Sequence, residues 1–142
     1  MNREAEMKTK GRVGKRGSVL VEAVLVMPLF LLLLFGIFEF GRILMIKQVI
    51  TNAAREAARA AAVNLDDAQA LASAQTVSND YLSRCGVDLH QVTVAPSFSE
   101  VNGTDAVQVI IHYNYSSSLY HWVPGIPQTI GLSSQVVMRR EA

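Results

Sequence analysis

Few residues in this 142-residue chain have the types and spacing that could do chemistry. Its three histidines, His90, His112 and His121, have no carboxylate or cysteine at metal-ligand spacing. No glycine-rich phosphate loop and no Gly-x-Ser-x-Gly elbow occurs. Asp66-Asp67 is the one adjacent carboxylate pair in the interior, and it reads as a helix start. Asn102-Gly103-Thr104 and Asn114-Tyr115-Ser116 match the glycosylation triplet by letter, but they read as turn and strand residues. Cys85 is the lone cysteine, so no disulfide can form within the chain. It reads as a small buried residue near a helix end, or as an intermolecular partner in an oxidising compartment. No metal site, cofactor or enzyme activity is expected.

Two constellations remain. In the first, Lys15-Arg16-Gly17-Ser18-Val19-Leu20-Val21-Glu22, a glycine separates basic residues from an apolar run, and a lone carboxylate lies five positions beyond it. Glycine offers a protease an extended backbone without side-chain obstruction. A carboxylate in apolar surroundings is costly and calls for a cation, such as a new N-terminal amine on a neighbouring chain. A boundary glutamate reaching headgroup water is the simpler alternative. The second constellation is Glu39-Phe40-Gly41-Arg42, followed by Asn52-Ala53-Ala54-Arg55-Glu56-Ala57-Ala58-Arg59. Glu39 and Arg42, and Glu56 and Arg59, are three apart, the spacing at which side chains pair along a helix.

The elements that position these residues begin with a membrane segment. Ala23 to Phe38 carries no charge in sixteen residues, twelve of them Leu, Ile, Val or Phe. At about −0.3 to −0.6 kcal/mol each, these twelve supply about −4 to −7 kcal/mol of insertion energy. That exceeds a cost of about 2–3 kcal/mol for Glu22. With Ser18–Glu22 the run reaches 21 residues, near the ~20 that span a bilayer. Residues 1–17 hold six basic residues against two acidic, whereas the remainder holds seven against ten. A basic leader before an apolar run keeps the N-terminus in the cytoplasm and exports the rest. A cleavable secretory signal fits less well. The apolar core is too long, and Glu39-Phe40-Gly41-Arg42 follows it instead of a small-residue cleavage site. No basic surface beyond residue 17 suggests nucleic acid.

Helical spacing continues past the membrane. Ile43, Ile46, Ile50, Ala53, Ala57 and Ala60 step by threes and fours, as in a helix–helix seam. A helix from about Val19 to Ala62 would be ~66 Å long, against ~30 Å of bilayer core. Its small-residue face suits either close packing with another helix or packing on its own domain. A second helix fits Ala68 to about Arg84, with Gly86 as its stop. The period then changes to two. His90, Val92 and Val94 form one run, Val107 to Tyr115 a second, and Ile130, Leu132, Val136 and Met138 a third, with a turn at Asn102–Asp105. The expected fold is α+β: a basic leader (1–17), a transmembrane and extended helix (18–62), and a small exported domain (63–142) with one helix on a three-stranded antiparallel sheet.

Taken in order, Gly17, Glu22, Pro28, Leu29–Leu34, Glu39–Arg42 and Asn52–Arg59 resemble the TadE-like family of the tight-adherence (Flp) pilus machinery, a branch of type IV pilus and type II secretion systems. The closing Val137-Met138-Arg139-Arg140-Glu141 is similar to that family's ending. The resemblance implies a pseudopilin. A membrane aspartyl prepilin peptidase would cut between Gly17 and Ser18. The mature helix would then associate with other pilins or machine components as a homo- or hetero-oligomer, and Glu22 would pair with a free N-terminus. Glu39, Arg42, Ala53, Glu56, Ala57 and Arg59 would serve helix packing or ion pairs. Major Flp pilins are short and have Glu-Tyr where this chain has Glu22-Ala23 and an exported domain. That departure implies a minor pilin or assembly factor in the bacterial inner membrane, with its C-terminal domain periplasmic, protein transport and cell adhesion being the processes served. The alternative is an uncleaved, membrane-anchored scaffold whose Leu119–Pro127 loop docks a partner.

Overall fold

A computed structural model describes the backbone of residues 3–121, 123 and 125–140, and the side chains of 18–121, 123 and 125–140. The side chains of the basic leader, together with Trp122, Pro124 and Glu141, lie outside the described residues. Helix α1 runs Arg3–Ala62 with Pro28 inside it, and the chain divides into two compact units, Met1–Phe38 and Glu39–Ala142.

In the first unit, α1 starts at Arg3, well before the expected start near Val19. Glu4-Ala5-Glu6-Met7-Lys8 are strong helix formers and no proline precedes Pro28. Gly11, Gly14 and Gly17 each cost about 1 kcal/mol relative to alanine, which weakens a helix without ending it. Residues 18–38 are exposed except the half-buried Gly36.

In the second unit, α2 (Asp67–Arg84) begins where Asp66 Oδ1 accepts from Ala68 N at 3.0 Å. It ends in a Schellman motif, with Val87 N donating to Leu82 O and Gly86 N to Ser83 O. Gly86 has φ +72, a left-handed conformation suited to glycine. Strands β1 (Val92–Val101), β2 (Thr104–Ser116) and β3 (Thr129–Arg139) form an antiparallel sheet in the order β1-β2-β3. Asn102 (φ 54) and Gly103 (φ 74) make the two-residue turn between β1 and β2. Val107, Val109, Ile111, Tyr113 and Tyr115 of β2 are buried, as their alternation predicts. They pack with Ala70, Ala74 and Leu82 of α2 and with Ile50, Ala53, Ala54, Ala57, Ala58 and Ala61 of α1. The second helix and the three-stranded antiparallel sheet are those expected from the sequence, except that His90 lies in a short 3-10 turn, Leu89–Gln91, ahead of β1, and the alanine face of α1 packs on its own domain.

Candidate functional site

Among the described residues of the first unit, no side chains converge on a site. Its functional surface is the apolar run itself. Val24, Leu25, Leu29 and Phe38 are each about two-thirds exposed or more. Unpartnered apolar surface of this length belongs in lipid or against other helices. Glu22 and Ser18 are exposed, and Gly17 lies within the helical backbone. The stretch is long and apolar enough to serve as a single-pass membrane anchor.

The second unit begins with a clasp. Glu39 is 6% exposed, and its Oε1 accepts a hydrogen bond from Ser118 N at 2.8 Å. Ser118 opens the short 3-10 turn Ser118–His121 that follows β2. One helical turn on, the Arg42 guanidinium lies over the Tyr115 ring, 5.6 Å from its centroid. Among the described residues no salt bridge joins Glu39 to Arg42. Each side chain reaches away from the helix axis to the end of β2, because a buried carboxylate requires a donor and the Ser118 amide supplies one. Among the described residues no salt bridge joins Glu56 to Arg59, and both are exposed. Ala53 and Ala57 are fully buried. Cys85 is exposed at the C-cap of α2, which corrects the expectation of a buried thiol. The Schellman motif turns the backbone at Cys85–Gly86 and leaves that side chain outside the core.

Replacing Glu39 by alanine should cost about 1.5–3 kcal/mol, the net worth of a hydrogen bond to a charged group. Urea unfolding of the full chain in detergent would measure it, and an unchanged midpoint would contradict the clasp.

Three further ties escaped the sequence reading. Lys47 Nζ donates to Ser133 O. Ser134 Oγ donates to Thr51 Oγ1 at 3.1 Å, holding α1 to the gap in the apolar run of β3. Arg140 donates to Asp67 Oδ1 (2.6 Å), Asn64 O and Leu65 O (both 2.9 Å), and its guanidinium stands over Phe98 at 5.1 Å. The ion pair with exposed Asp67 adds little. The two carbonyl bonds fix the α1–α2 turn to the end of β3. The paired arginines of the closing run were the only signal in the sequence.

Burial raises the pKa of both Tyr113 and Tyr115. Asp88 adds to the rise at Tyr113, the Glu39 carboxylate adds to it at Tyr115, and Arg42 opposes both. The Tyr115 hydroxyl is buried without a hydrogen bond of ordinary geometry among the described residues. Groups whose folded pKa is raised hold their full stabilising effect below the unfolded value, about 10, and lose it as pH climbs through the folded value. Unfolding midpoints should therefore be flat from pH 8 to 9.5 and fall above pH ~10. The Tyr113→Phe/Tyr115→Phe double variant should fall less steeply. An equally steep fall in that variant would contradict the assignment.

Among the described residues, no group of three or more His, Cys, Asp or Glu is placed to hold a metal ion. No curated protein and no solved structure matches the chain. The family comparison does match, and it falls on α1. Over residues 17–59, from the glycine before the apolar run through the clasp to the alanine face, the chain matches the family of TadE-like protein, a structural family associated with the Tad pilus.

Proposed function

We propose that the chain is a pseudopilin, a minor pilin or assembly factor of a tight-adherence pilus. It is held in the bacterial inner membrane with its N-terminus cytoplasmic and the 63–142 domain periplasmic. The observation that carries this reading is the exposed, uncharged run Ala23–Phe38 inside the stretch that matches the family. Prepilin peptidase cuts between Gly17 and Ser18. Cleavage calls for local unwinding of α1, and the glycines at 11, 14 and 17 make that unwinding easier. The new amine of one chain then meets Glu22 of a neighbour, which neutralises a carboxylate otherwise costly in lipid. Other pilins or pseudopilins are the partners of this helix, and the mature protein enters the fibre or stays at its base.

N-terminal sequencing of the membrane-extracted protein from cells with active peptidase tests the proposal. The expected first residue is Ser18, and Gly17→Leu should abolish the cut. A retained leader in the wild-type protein would leave the anchored scaffold as the correct reading.

A further inference from the structure

The two outer edges of the sheet are not alike. Along a strand, the backbone groups of successive residues point alternately to one neighbour and the other. Arg140 N donates to Asp105 O, and Ser117 N to Gln128 O, both at 3.0 Å. In the unbroken β2–β3 register, odd-numbered β2 residues therefore bond toward β3 and even-numbered ones toward β1. It follows that the N–H and C=O groups of Thr129, Gly131, Ser133, Gln135, Val137 and Arg139 face away from the sheet. On β1 the outward positions include Pro96, which has no N–H to offer, and α2 packs against β1. A proline is one way in which native sheets blunt an edge. β3 has no proline and no bulge over its eleven residues. Among the described residues, the one side chain that caps its outward backbone is Lys47, at Ser133 O.

Charge points to what this edge accepts. Through the Lys47–Ser133 and Thr51–Ser134 ties, α1 lies beside β3. There Lys47, Gln48, Thr51, Asn52 and Arg55 line a hollow of about 330 Å³. Two cations and no acid line it, β3 contains no acidic residue, and Arg139 at its end is exposed.

We propose that the outer edge of β3 accepts an extended, acidic segment of another protein as a fourth strand, with that segment's carboxylates meeting Lys47 and Arg55. Main-chain bonds to the outward groups hold the added strand, and the two cations select it. On docking, an incoming N–H replaces Lys47 at Ser133 O, and the freed ammonium turns to a carboxylate. A second copy fits poorly. Two β3 edges brought together would oppose Lys47 with Lys47, and a β3 edge laid on β1 would meet Pro96. The proposal stands on the β3 edge and the Lys47–Arg55 face of α1 and not on cleavage or assembly, so its failure would leave the pilin reading untouched.

The test uses the full-length, nitrogen-15-labelled chain in detergent micelles and a synthetic ten-residue peptide alternating glutamate with threonine. In the free protein, amides 130, 132, 134, 136 and 138 should exchange slowly and the odd-numbered ones fast. The peptide should slow the odd-numbered amides by about tenfold or more, as pairing in a ladder does. A peptide with lysine in place of glutamate should not, nor should one with its edge-facing amides N-methylated. Gln135→Pro removes only an outward N–H and should abolish binding while the β2 amides stay protected. The N-methylated peptide carries the same test should that variant unfold. Lys47→Glu/Arg55→Glu should weaken binding by about tenfold or more, the effect of like charges at a contact. The proposal is overturned if the acidic peptide leaves the odd-numbered amides fast, if the lysine or N-methylated peptide protects them equally, or if they are already protected without peptide in a concentration-dependent way, which would mean that copies pair.

Discussion

Replacing Ala54 and Ala57 together by leucine is expected to lower the stability of the Glu39–Ala142 unit by about 2–6 kcal/mol, at about 1–3 kcal/mol for each overpacked site. A domain of this size has only about 5–15 kcal/mol to lose. Both alanines are fully buried against the sheet and α2, so neither has room for three more carbons. Urea unfolding of the full chain in detergent reads the effect as a drop in midpoint. Asn52→Leu, on the exposed side of the same helix, should change stability by less than about 0.5 kcal/mol. The pair decides which of the two readings of the small-residue face holds in solution. A face kept free for another helix would accept leucine at 54 and 57 without loss.

The second large effect concerns the membrane run. Each arginine at the centre of a span costs about 2.5–3.5 kcal/mol and removes about 0.3–0.6 kcal/mol of leucine insertion energy. The double variant Leu31→Arg/Leu33→Arg therefore shifts insertion by about 6–8 kcal/mol, at least as much as the whole run supplies. The variant should leave the alkaline-washed membrane fraction, while Leu20→Arg, near the boundary, should remain in it. Retention of the double variant would mean that Ala23–Phe38 is not the span.

The sequence showed the elements more clearly than their ties. Alternation from Val107 to Tyr115 gave the inward face of β2 because a strand has a period of two and one face is buried. Asn102-Gly103 gave the turn because both residues adopt a positive φ. The start of α1 was less legible, since the leader's composition favours helix and nothing in it stops one. Cys85 was misplaced because residue type predicts burial on average, whereas a capping turn decides where one side chain points. The clasp was least legible. Glu39 and Arg42 sit at pairing distance along a helix, and spacing alone suggests that they join. The actual partner of Glu39, Ser118, lies 79 residues away in sequence. The same holds for Lys47 with Ser133 and Arg140 with the α1–α2 turn. Such contacts follow from how α1 lies on the sheet, which no local pattern encodes.

Export of the domain beyond α1 can be tested with the chain's own lone thiol. Cys85 is the single cysteine and it is exposed. Spheroplasts, mildly reduced and then treated with a membrane-impermeant maleimide, should label the protein at Cys85 without lysis, and Cys85→Ser should abolish the label. Labelling that occurs only after the membrane is broken would place the domain in the cytoplasm and contradict the account.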